Sequence, residues 1–375
     1  WKRMGGDANK AMLAAGAATG TVGAVTTLLH MVQDFQDLLP HQNLCTVLTE
    51  TSDRNVAMAL ACIAPNYVYH ASRVGASNWI PDYLDALAAA RNRFASPGIA
   101  VFDAQATVNI MNAAGQAVDW ATVWAMLDRL DALRQDFSKN PEIAILAAQA
   151  TVNIMNAAGQ AGDWATVRAM LDRLNALRQA FPKNAEIAHE EAKAAFNITN
   201  ASGDAGDWAR VEAVLDRLDA LREAFSKNPE IAVKAANAAF NITNTALRTG
   251  DWPRIKEMLD RLDALHQAFP DNAEIAVAAA NTAFNIVAYA GDAGDWAQVE
   301  ALLVRLDALR QAFPHNAEIA VAAAKAVVNI ATFAGQAEDW AQVEALLVRL
   351  DALRQAFTDN AEIAVVGAQA VVNIA

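Results

Sequence analysis

Cysteine is nearly absent: Cys45 and Cys62 are the only two in 375 residues. Two thiols cannot build a disulfide framework or a cysteine zinc site, so the expected compartment is reducing and cytoplasmic. Proline and glycine are also sparse, 10 and 17 residues, which favours packed helices over disorder. Positive charge is in short supply: the net charge is -13, which argues against a nucleic-acid binder, because phosphate contacts need a basic surface. The six histidines, His30, His41, His70, His189, His266 and His315, follow no pattern. No HExxH, GxSxG or phosphate-loop motif occurs, and the glycine-rich GAATGTVG near the start lacks the lysine and the preceding strand. The reading is therefore of a protein that is not an enzyme and holds neither cofactor nor metal.

What the chain has in abundance is alanine and repetition. Trp120, Trp164, Trp208, Trp252, Trp296 and Trp340 stand 44 residues apart without exception. A period of this size marks an array of supersecondary units, each stacked on its neighbours. The unit at 272–315 shows its logic. Asn272 is a good helix N-cap, and Glu274 follows in the first turn, where the helix dipole favours it. A first helix is expected to about Ala290, where GDAGD breaks it. Asp295 caps a second helix carrying Val299, Leu303, Leu306 and Leu309 on one face, and Pro314 ends it. Counting the caps gives six complete hairpins from Ser96 to Asp359 and part of a seventh from Asn360.

The FPDNAEIA boundary (269–276), the GDW turn before each second helix and the Phe-Pro ending resemble the tetratricopeptide repeat over residues 96–375. The resemblance implies an all-α fold of helical hairpins, read here as a right-handed α-solenoid. It departs from the family in length: the usual unit is about 34 residues, so each hairpin here is roughly three turns longer. HEAT-like repeats match the length better, but their proline-kinked first helix is not seen. Residues 1–95 are expected to form an atypical helical region ending in a degenerate capping repeat, NWIPDYLDALAAARNRF. Residues 11–33 carry no charge and are long enough to span a bilayer, but their alanine, glycine and threonine favour a buried or self-associating helix over a membrane tether.

One polar position is constant within the array: Asn109, Asn153, Asn197, Asn241, Asn285, Asn329 and Asn373, all on the first helix. The residue four earlier is always polar and includes Lys193, Asn237, Asn281 and Lys325. Three later come Asn112, Asn156, Asn200 and Asn244, then Ala288 and Thr332. Offsets of 0, 4 and 7 fall on one side of a helix, so an amide stripe runs along an otherwise apolar rod. It admits two readings: an internal ladder tying each repeat to the next, or the floor of a concave groove. In some peptide-binding tetratricopeptide proteins, first-helix asparagines hold the backbone of an extended peptide, and the resemblance implies the same possibility for these residues. A carboxamide offers both donor and acceptor, matching a peptide unit whatever its side chain.

The tryptophans are expected in the core. The recurring Arg129, Arg173, Arg217, Arg261, Arg305 and Arg349 are expected on a solvated or salt-bridged face. The functional expectation is a scaffold for a protein or peptide partner. The alternatives are end-to-end assembly into an oligomer or filament, because near-identical repeats make one open end complementary to the other, and, more weakly, a membrane-tethered scaffold.

Overall fold

The computed structural model describes residues 41–73 and 80–374; the apolar segment 11–33 and Trp79 lie outside them. Sixteen helices and no strand occur among the described residues. Two compact units divide the chain, residues 1–191 and 192–375.

In the first unit, α1 (His41–Glu50), α2 (Arg54–Arg73) and α3 (Ile80–Phe94) precede the regular hairpins α4 (Pro97–Gln116) with α5 (Trp120–Asp136) and α6 (Pro141–Gln160) with α7 (Trp164–Ala180). The division falls within α8 (Ala185–Asp204). In the second unit follow α9 (Trp208–Ala224), α10 (Pro229–Thr249), α11 (Trp252–Ala268), α12 (Ala273–Asp292), α13 (Trp296–Ala312), α14 (Ala317–Gln336), α15 (Trp340–Ala356) and α16 (Ala361–Ile374). The stretch read from the sequence as a degenerate capping repeat holds the helix α3. It packs on α1, α2 and α4, with Tyr83 and Leu87 fully buried.

Side-chain caps set the boundaries of the regular hairpins, except that Ser96 makes no side-chain cap bond and α4 starts at Pro97. Asn140, Asn184 and Asn228 Oδ1 each accept two backbone N–H groups of the following first helix, and Asn272, Asn316 and Asn360 Oδ1 each accept one. Asp119, Asp163, Asp207, Asp251, Asp295 and Asp339 cap the second helices. Each second helix stops at a phenylalanine whose carbonyl accepts the N–H of the next asparagine cap, as in Asn184 N to Phe181 O at 3.0 Å. The same turn forms where Ser138, Ser226 or Thr358 replaces proline, so proline is not what ends the helix. At the other turn, α12 runs two residues past the expected end, through Gly291 to Asp292. The true break is Gly294, whose φ of +74° is a left-handed cap.

The first helices are alanine-rich, and this lets them pack directly on one another: α2 on α4 and α4 on α6 in the first unit; α10, α12, α14 and α16 in sequence in the second. Second helices pack against first helices of their own unit, inserting a leucine row such as Leu174 and Leu177. Truncating one of these fully buried leucines to alanine costs about 2–5 kcal/mol.

Candidate functional site

Close packing of the first helices brings the amide stripe of one repeat within reach of the next. Asn153 Nδ2 donates to Asn112 Oδ1 at 2.8 Å, Asn241 to Asn200 at 2.7 Å and Asn285 to Asn244 at 2.7 Å. Each rung joins residues 41 apart, one period less three. Asn109 donates instead to the carbonyl of Pro65 at 2.9 Å; the position 41 earlier, where an acceptor asparagine stands in later repeats, is Val68. Asn329 has Ala288 where an acceptor asparagine would stand. Asn156 and Asn197 have interactions of their own.

The stripe is tied, yet it is not buried. Asn153 is exposed, and Asn109, Asn112, Asn156, Asn197, Asn200, Asn241, Asn244, Asn285 and Asn329 are half-buried. A rung uses one N–H of one amide and the oxygen of the other, leaving further N–H groups and an oxygen at the surface. Of the flanking positions, Asn237, Asn281, Lys193 and Lys325 are half-buried, and Lys325 pairs with Glu362 at 2.7 Å.

In the first unit the rung lies in an open cleft of about 500 Å³ between α2, α4, α5 and α6. Tyr69, Asn112, Gln116, Trp120, Asn153 and Gln160 line it, with Asn156 and small apolar groups, and none of its lining residues is charged. This volume is in the range of ligand sites. The sequence reading placed Asn112, Asn153 and Asn156 on such a floor. It did not foresee Tyr69, Trp120 or Trp124. Trp124 stacks on Trp120, ring centroids 6.3 Å apart and planes 28° apart, and is 38% exposed. Its signal was available, because the same position in later repeats holds Arg168, Glu212, Lys256, Glu300 and Glu344.

The tryptophan series corrects its expectation. None of the six is buried: Trp120, Trp164 and Trp208 are half-buried, and Trp252, Trp296 and Trp340 are exposed. As the first residue of its helix each sits at the edge of the hairpin, beyond the leucine row. Trp208 is covered instead by Arg254 of the next repeat, whose guanidinium lies 4.0 Å from the ring centroid.

The arginine series forms a second set of ties, on the second helices. Arg173 pairs with Asp131, Arg261 with Asp219 at 2.6 Å, Arg305 with Asp263 and Arg349 with Asp307, each 42 residues apart. Arg129 and Arg91 both reach Asp103, which is fully buried, at 2.8 Å. Burial pushes the Asp103 carboxyl above the ordinary aspartate range, and Arg129 followed by Arg91 opposes it.

No family model matches the chain, and no curated protein does. Among solved structures it is similar to the TPR domain of P58(IPK), at 13% identity and a TM-score of 0.25, over 98% of each chain. A monomeric mutant of IFIT1 with m7Gppp-AAAA is 10% identical, with a TM-score of 0.24, over 88% of this chain and 81% of that one. Likenesses this distant leave the fold to be read from the helices themselves: an all-α array of tetratricopeptide-like hairpins, each lengthened to 44 residues.

Proposed function

We propose that the chain is a non-catalytic interaction scaffold that holds an extended peptide, or a disordered protein segment, along the first-helix amide stripe. The observation that carries this reading is the Asn112–Asn153 rung on the floor of an open, uncharged cleft. A surface amide row bonded in one direction still offers donors and acceptors to a peptide backbone, and the rung fixes the orientation of those groups in advance, which lowers the ordering cost of binding. Asn156, Asn197, Asn200, Asn241, Asn244, Asn285 and Asn329 would extend the floor, with Lys193, Asn237, Asn281 and Lys325 adding local preference. The two cysteines are half-buried thiols, which suits the cytoplasm as a setting.

The test is hydrogen–deuterium exchange with peptides selected from a random library. Added protection on α4 and α6 that is lost in Asn112→Ala/Asn153→Ala supports the reading, provided the variant keeps its helicity. Protection confined to the second helices would refute it.

A further inference from the structure

We propose that the cleft of the first unit takes a proline-rich segment in the polyproline conformation. This deepens the peptide-groove reading and rests on it.

Two departures from the repeat pattern meet in the α4–α5 hairpin and a third comes from α2, and all run toward apolar surface. Trp124 replaces a residue that is charged in the other five repeats and stacks on Trp120, which lines the cleft. Val118, two residues before Trp120, is 68% exposed where four other repeats have glycine and the last has Glu338. Tyr69 of α2 lines the same cleft and is 40% exposed. Exposed aromatic surface of this kind is the usual complement of a proline-rich strand, whose rings pack flat on aromatic faces and whose extended form is largely set before binding.

The polar groups point the same way. A proline-rich chain has few N–H groups to satisfy, and its carbonyls need donors. The rung occupies Asn112 Oδ1 and leaves both N–H groups of that amide to the cleft, with Gln116 and Gln160 on the same wall. A charged peptide finds no counter-charge in the lining, and the chain's net charge of -13 repels an acidic one at longer range.

The test is titration calorimetry on the full chain with a neutral proline-rich peptide of about ten residues, roughly three turns of that helix. Its comparators are the same peptide with every proline changed to alanine, an acidic version, and maltohexaose. The protein variants are Trp124→Glu, which installs a residue that α9, α13 and α15 already carry there, and Asn112→Ala. The expected result is binding of the proline-rich peptide, weakened about tenfold or more by Trp124→Glu and to a similar degree by loss of the prolines. Circular dichroism should show the variants as helical as the native chain. Equal binding of the alanine peptide, sensitive to Asn112→Ala but not to Trp124→Glu, would overturn this inference and leave the peptide groove standing. Binding of neither peptide would remove both, as would binding of maltohexaose alone.

Discussion

Replacing Val118 by glycine should stabilise the first unit, although it deletes a hydrophobic side chain. Val118 occupies the left-handed turn before the second helix with φ +60°. Gly162, Gly206, Gly250 and Gly294 fill the same place with φ between +68° and +74°. For an L-residue this region costs about 1–2 kcal/mol, and a β-branched one is a genuine outlier there. Against the gain stands the greater freedom of glycine in the unfolded chain, about 0.4–1 kcal/mol. The lost burial is small, because the side chain is 68% exposed. The net expectation is about 0.5–1.5 kcal/mol of added stability, or a few degrees in Tm for a unit of this size. Urea unfolding followed by circular dichroism and tryptophan fluorescence measures it. Gly250→Val is the mirror experiment, with a loss of about 0.5–1.5 kcal/mol expected in the second unit. If Val118→Gly destabilises, or Gly250→Val is silent, the turn does not impose the strain described.

The other predictions concern packing, the two sets of ties and acid. Gly291→Ala should destabilise by about 1–3 kcal/mol, since a Cβ there would lie 2.5 Å from the Phe333 ring, whereas Gly335→Ala, with its nearest neighbour 4.0 Å away, should gain about 0.5–1 kcal/mol; thermal unfolding of the pair reads both. Asn241→Ala should cost about 0.5–1.5 kcal/mol by leaving the half-buried Asn200 amide without its donor, and a double-mutant cycle with Asn200→Ala should show coupling. Asp219→Ala should cost less, about 1 kcal/mol or under, and the loss should shrink in 1 M salt, because the Arg261 pair is partly exposed. Hydrogen bonds from Thr122 and Thr166 hold the Asp119 and Asp163 carboxyls below the ordinary aspartate value. Their folded pKa values are depressed, so their contribution is complete above the unfolded value of about 3.8 and is lost as pH falls through the folded value. Nuclear magnetic resonance titration of Thr166→Val should find the Asp163 pKa returned upward.

The period and the caps made the hairpins legible, since each depends on a residue within three positions of the helix it starts. Bonding partners were less legible because they lie a repeat away. Yet once first helices are known to lie side by side, Asn153 can meet Asn112 only if the contact spans one period less three, and Arg173 can meet Asp131 only at one period less two. The six tryptophans misled because a recurring large apolar residue at a helix start reads as core, whereas the leucine row already fills the space beneath it. The cleft was the least legible. It depends on Tyr69 from the atypical amino-terminal region and on Trp120, on which Trp124 stacks, a residue conspicuous for differing from its own repeats.

The rung inside the cleft ties recognition to stacking. Asn112 and Asn153 belong to adjacent repeats, so the spacing of any groups they offer to a ligand equals the spacing of the helices they join. Removing either amide therefore tests two things at once, and a loss of binding alone says little. Trp124 has no part in the rung and is matched by charged residues in sister repeats that keep the same helix. Its replacement separates the two roles: binding that falls while unfolding stays put assigns the cleft to a partner. Binding that survives Trp124→Glu but fails with Asn153→Ala, in step with lost stability, leaves the asparagines as ties between repeats.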